Sequence, residues 1–186
     1  MNTVEPIRDV NIVLDIADYL KEIRERDYVL FMFGIYSGLR ISDILPLKVR
    51  DVRGRDYIYL REAKTNHEKR FPINDELKEI LNHYITGKRD YEFLFRRSKG
   101  KNVPISRQWV WKVLNDAADK FEHKDKIGCH TLRKTFGYLL YEDTKDAVAI
   151  QEILNHSDVS ITKRYIGVNQ DSKDKVMKGL SLRKRR

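Results

Sequence analysis

No stretch constrains the fold more than Tyr28-Val-Leu-Phe-Met-Phe-Gly-Ile-Tyr36. The pattern predicts a helix from about Arg26 to Tyr36 that is apolar nearly all round, and a helix with no polar face is buried. Ser37-Gly38 breaks it, and Leu39-Arg40-Ile41-Ser42-Asp43-Ile44-Leu45 begins a short helix that ends near Pro46. Arg40 therefore stands at the end of a buried element, on a rigid support. Before it, Val10, Val13, Leu14, Ile16, Ala17 and Leu20 make one apolar face on a helix from Asp9 to about Ile23.

After Pro46 the pattern changes. Tyr57-Ile-Tyr-Leu60 and Arg70-Phe-Pro-Ile73 have strand propensity, and Lys64 to Glu68 lie between them as a turn. A small antiparallel sheet is expected, with Lys64 near its tip and Pro72 at an edge or strand end. Helices resume at Asp75–Ile85, capped by Asn74 or Asp75, and at Ser106 to about Phe121, with Trp109, Val110, Val113, Leu114 and Ala117 inward. A basic irregular connection, Asp90 to Pro104, joins the two. Leu132, Phe136, Leu139 and Leu140 mark another helix, followed by helices at Ala147–Leu154 and Val159–Tyr165. The expected fold class is mainly α with a small antiparallel β-sheet (α+β), as a single domain over residues 1–180. Residues 181–186 form a basic tail, with no repeat and no low-complexity linker.

Charge decides which partners to consider. Lys and Arg total 37 against 28 Asp and Glu, a net charge of +9 that favours polyanions, nucleic acid before anionic membrane. A basic solubilising surface is the alternative on charge alone. The single Cys excludes an intrachain disulfide and suits a reducing compartment. No apolar run approaches membrane-spanning length and no signal-peptide pattern opens the chain, so an intracellular protein is expected. The five histidines lack metal-ligand spacing, and Cys129 is adjacent to His130 rather than spaced for ligation, so no metal is expected.

Candidate chemistry gathers in four places: Arg40, Lys64, His130 with Arg133, and His156 with Tyr165 nine residues later. His130 and Arg133, three residues apart in a helix, share a face and suit an anionic target. Taken in order, Ser37-Gly-Leu-Arg40-Ile-Ser-Asp43-Ile44, Lys64, His130-Thr-Leu-Arg133, and Leu154-Asn-His156 followed by Tyr165 resemble the signature of the tyrosine recombinases. That family includes phage and transposon integrases and chromosome-dimer resolvases, and shares its chemistry with type IB topoisomerases. The resemblance covers about the whole chain.

The resemblance implies a recombinase-like catalytic domain that breaks and rejoins DNA strands through a 3′-phosphotyrosyl link. Tyr165 would be the nucleophile and Arg40 and Arg133 the clamp on the non-bridging oxygens. His156 would donate a further hydrogen bond, His130 accept the tyrosine proton, and Lys64 protonate the leaving 5′-oxygen. Asp43 would orient Arg40, where the family more often has Glu, and Asn155 stands where it usually has Gly. Lys69 or Arg70 could take the phosphate contact in place of Lys64. Lys69, Arg70, Arg107, Lys134, Lys163 and Arg164 are the candidate DNA contacts. The implied partners are double-stranded DNA and further copies of the chain in dimers or tetramers, with no cofactor, in the cytoplasm with the bacterial nucleoid. The family usually carries an N-terminal helical clamp; its absence here implies a fragment, or a short protein with the clamp supplied by a partner. The alternative from a different class is a DNA-binding module of the same fold without catalysis.

Overall fold

The computed structural model describes residues 4–61, 68–121, 127–160, 162 and 177–178. The chain packs as two compact units, Met1–Phe136 and Gly137–Arg186. The first opens with α1 (Val10–Ile23), whose N-cap Asp9 accepts from the Asn11 amide. It buries Val13, Ile16, Ala17 and Leu20, whereas Val10 and Leu14, expected on the same face, are about half exposed at 50% and 51%. The true inward stripe is thus narrower than the apolar one.

α2 (Glu25–Ser37) follows after one residue and is the buried centre that its apolar sequence demands. Phe31 and Phe33 are wholly inaccessible, and Phe33 meets Phe95 edge to face at 5.8 Å. Burying one such side chain stabilises by about 1.5–3 kcal/mol. α2 also begins with two buried charges, Arg26 and Asp27, which lie 2.7 Å apart. α3 (Ile41–Ile44) is shorter than expected, because Leu39 and Arg40 stay extended in the connection. β1 (Tyr57–Arg61) and β2 (Glu68–Pro72) pair antiparallel, with Ile58 opposite Phe71 and Tyr59 opposite Arg70. The alternation sends Ile58 and Phe71 inward and leaves Tyr57, Tyr59 and Arg70 outside. Pro72 ends its strand, where it removes no interior ladder bond.

α4 (Asp75–Tyr84) is capped by Asn74 and α5 (Arg107–Lys120) by Ser106, whose hydroxyl accepts from the Trp109 amide. The connection between them is anchored by buried Leu94 and Phe95, with Tyr84 Oη donating to Leu94 O at 3.0 Å. The inner stripe of α5 is Val110, Leu114, Ala117 and Ala118. Trp109, expected in that stripe, sits on its shoulder at 36% exposure because two guanidiniums draw the indole toward α2.

α6 (Cys129–Thr144) belongs to the first unit through Phe136. The second unit contains the remainder of α6 and α7 (Ala147–Leu154), whose N-cap Asp146 accepts from the Val148 and Ala149 amides. Among its described residues the buried side chains are Ile150, Leu154 and Thr162. Val159, Ser160 and Thr162 are helical, consistent with the start of the expected last helix. Lys64, Lys163, Arg164, Tyr165 and the tail at 181–186 lie outside the described residues. No described helix is long and apolar enough to cross a membrane.

Candidate active site

The site in the first unit is built on a close approach of two helices. Gly34 and Gly38 are one turn apart on α2, and Leu132 and Phe136 one turn apart on α6. A Cβ at Gly34 would stand 2.6 Å from Leu132 Cδ1, and one at Gly38 would stand 2.2 Å from Phe136 Cδ1. Only hydrogen fits at either place. Gly38 also caps α2 in the left-handed region, φ 59°, with its amide on Gly34 O. The close seam brings Arg133, between Leu132 and Phe136 in sequence, to the end of α2, where its Nη1 donates to Gly38 O at 2.7 Å. Arg133 is buried, at 3% exposure.

Arg40 lies two residues beyond that carbonyl, extended at φ −70°, ψ 143°, as the N-cap of α3. Its Nη1 is 4.0 Å from Asp43 Oδ2, and Asp43 is itself buried. One arginine is thus tied to the junction by a hydrogen bond and the other by the chain. Asp43 has the orienting position expected of it.

His130 begins α6 one turn before Arg133. The start of the helix is closed by reciprocal bonds, Gly128 N to Thr131 Oγ1 at 3.0 Å and Thr131 N to Gly128 O at 2.8 Å. Asn115 Nδ2 reaches from α5 to Ile127 O at 2.6 Å, and Thr135 Oγ1 accepts from Ile7 N at 2.9 Å. His130 keeps an exposed edge, yet burial of the rest of the ring lowers its pKa from the ordinary 6.5. The charges of Arg107, Arg133, Arg40 and Lys134 lower it further, in that order. Four cations therefore surround one imidazole, which they keep neutral and able to accept a proton. A cavity of about 760 Å3 opens beside it, between Arg107, Trp111, Ile127 and His130.

Two of the expected DNA contacts read differently in three dimensions. Lys134 is 5% exposed, because the first turns of α6 are buried all round; it is enclosed instead of lying on an open surface. Burial pushes its pKa down, and Glu5 opposes that. Arg107, at the first position of α5, is the first-ranked charge acting on His130. Arg70 sits on the outer face of the sheet, 4.5 Å over the Tyr57 ring.

In the second unit, His156 Nδ1 is 3.0 Å from Thr162 Oγ1. Its backbone is fixed from both sides, by its amide on Gln151 O and by Gln151 Nε2 on its carbonyl at 3.1 Å. Asn155 just before it adopts the left-handed region, φ 52°, which explains how Asn serves at a position that favours Gly. Burial raises the Cys129 thiol pKa, so this cysteine is a poor thiolate donor. Among the described residues no group of three or more His, Cys, Asp or Glu is placed to hold a metal ion.

A profile of the phage integrase family matches residues 8–172. The chain belongs to the phage integrase family. Its tyrosine recombinase character, expected from the motifs, is confirmed by relatives as well. It is 44% identical over 172 residues to a probable integrase/recombinase, YoeC, of Bacillus subtilis (strain 168), covering 92% of this chain and 94% of that one. It is 31% identical over 171 residues to the tyrosine recombinase XerD of Staphylococcus epidermidis, covering 88% of this chain but 57% of XerD. This integrase-family chain thus spans little more than half the length of that relative. The fold matches the crystal structure of XerA recombinase at a TM-score of 0.75, with 20% identity, over 95% of this chain and 64% of that one.

The arginines and the histidine were legible as sequence motifs. Thr131, Asn115 and the Gly34–Gly38 seam were not, and the only sequence signal for the seam is the four-residue spacing of two glycines.

Proposed function

We propose that this chain is the catalytic part of a site-specific DNA recombinase that cleaves and rejoins strands through a 3′-phosphotyrosyl intermediate. One observation carries the proposal. Arg40 and Arg133 are fixed at one junction, beside a His130 kept neutral by surrounding cations.

In this scheme Arg40 and Arg133 hold the non-bridging oxygens of the scissile phosphate and stabilise the charge that builds in the pentacoordinate transition state. Tyr165 Oη attacks phosphorus and its proton passes to His130. The 5′-oxygen leaves with a proton from Lys64, giving a tyrosyl phosphodiester and a free 5′-hydroxyl. His156 adds a hydrogen bond to the same phosphate. The reverse attack by a 5′-hydroxyl from another strand restores the tyrosine and the DNA without ATP. A neutral His130 matters because phenol has a reference pKa of about 10 and needs a base at neutral pH. Duplex DNA is the substrate, and assembly of two or four copies on it would bring the exchanging strands together. The +9 charge supports the DNA assignment.

A suicide DNA substrate, nicked so that the cleaved end diffuses away, tests the scheme. The protein should form a covalent adduct that survives SDS, and Tyr165→Phe should form none. Tight DNA binding with no adduct on any cognate site would make the chain a binding module instead.

A further inference from the structure

A second basic cavity, of about 420 Å3, lies away from His130. Its wall carries Arg24, Arg26, Arg97, Lys99, Ser98 and Trp109. Arg26 is held rigidly, Nε donating to Asp27 Oδ1 at 2.8 Å and Nη1 to Arg96 O at 3.1 Å. Arg24 donates to Ser98 Oγ at 3.2 Å and stands 3.7 Å from Asp27 Oδ2. Both guanidiniums lie over the Trp109 ring, at 5.4 and 5.5 Å from its centroid. Trp109 Nε1 in turn points at both Asp27 oxygens, 3.4 Å from each.

These contacts build a fixed floor whose charge is not balanced. Four cations face one carboxylate, Asp27, and the excess falls on Arg97 and Lys99. Both are exposed, and neither makes an ion pair among the described residues. Arg97 is braced, its amide donating to Val103 O at 3.0 Å. An open, preorganised pocket with guanidiniums and an ammonium on its walls suits a phosphate group. The first turn of α5 separates this cavity from the other, with Trp109 lining one and Arg107 the other. A helix is about 10 Å across, so the two lie roughly three base-pair steps apart on a duplex.

We propose that this cavity binds a backbone phosphate of the DNA a few base pairs from the cleaved one, and so sets the register of the duplex on the enzyme. The proposal rests on DNA being the substrate. Arg97→Gln with Lys99→Gln leaves the Arg24–Arg26–Asp27–Trp109 floor in place and tests it. Duplex affinity should fall and the slope of log affinity against log salt should flatten by about two. Adduct formation at saturating DNA should keep its rate, because the chemistry is elsewhere. Unchanged affinity and slope would overturn the proposal. Calorimetric titration with pyrophosphate separates the sources of the phosphate. Pyrophosphate binding lost in the double variant, with duplex binding unchanged, would make the pocket a free-phosphate site and overturn the DNA assignment. If wild type forms no adduct but the double variant still flattens the slope, the catalytic scheme fails and this pocket stands.

Discussion

Gly38→Ala, set beside Gly54→Ala, isolates what the α2–α6 seam requires. Both glycines have nearly the same left-handed backbone, φ 59° and 62°. An alanine in that region costs about 1–2 kcal/mol, offset by about 0.4–1 kcal/mol from a less free unfolded chain. At Gly54 nothing lies within 4 Å of the added Cβ, so the net cost should be roughly 1 kcal/mol. At Gly38 the same Cβ would stand 2.2 Å from Phe136 Cδ1 and 2.7 Å from Cε1, and the ring cannot yield without moving α6. Overpacking of a tight core adds about 1–3 kcal/mol, for a total of about 2–4 kcal/mol. Urea melts of the two variants, with unchanged slopes, give the difference directly. Gly38→Ala should also slow cleavage, because the carbonyl that holds Arg133 shifts with the seam, and Gly54→Ala should not. Equal stability costs at the two positions would refute the argument that packing, beyond the backbone conformation, dictates glycine at 38.

His130 makes two predictions about pH. Its pKa is lowered from 6.5, so the unfolded chain binds a proton that the folded one refuses. Stability should therefore fall as pH drops below about 6.5, and His130→Gln should remove that share of the loss, read as the difference in urea midpoints at pH 7.5 and 5.5. In single-turnover cleavage at low DNA concentration the acid limb should lie below 6.5. At saturating DNA it should move up, since a phosphate charge about 6 Å away contributes about 3 kcal/mol at an effective dielectric of about 20. An NMR titration of the free protein placing His130 above 6.5 would contradict both. Asp27→Ala strands buried Arg26 and should cost about 3–5 kcal/mol in urea melts, whereas breaking the exposed Lys112–Asp116 pair with Lys112→Ala should cost less than about 1 kcal/mol.

Much of this molecule could be read from its residues in order. Helix periodicity marked α1, α2, α4, α5 and α7 to within two or three residues, and the caps Asp9, Asn74 and Ser106 sit where short polar side chains precede apolar runs. The catalytic motifs announced themselves because a phosphate needs particular donors, and Arg and His are few enough for their spacing to count. Less could be said of side-chain direction. Trp109, Val10 and Leu14 fit the apolar stripes and still face partly outward, because a stripe marks a sector and the neighbouring element selects the residues within it.

By itself, then, the sequence determined the element order, a buried α2, the family and the identities of the candidate reactive groups. Tertiary structure alone decided that Gly38 O would hold Arg133, that Arg107 would stand with Arg40 and Arg133 beside His130, and that Lys134 would be enclosed. The reason is physical. Periodicity is a local property of consecutive residues, whereas a 2.7 Å bond between positions 95 residues apart depends on how closely two helices can approach. That approach was set by the hydrogens of two glycines.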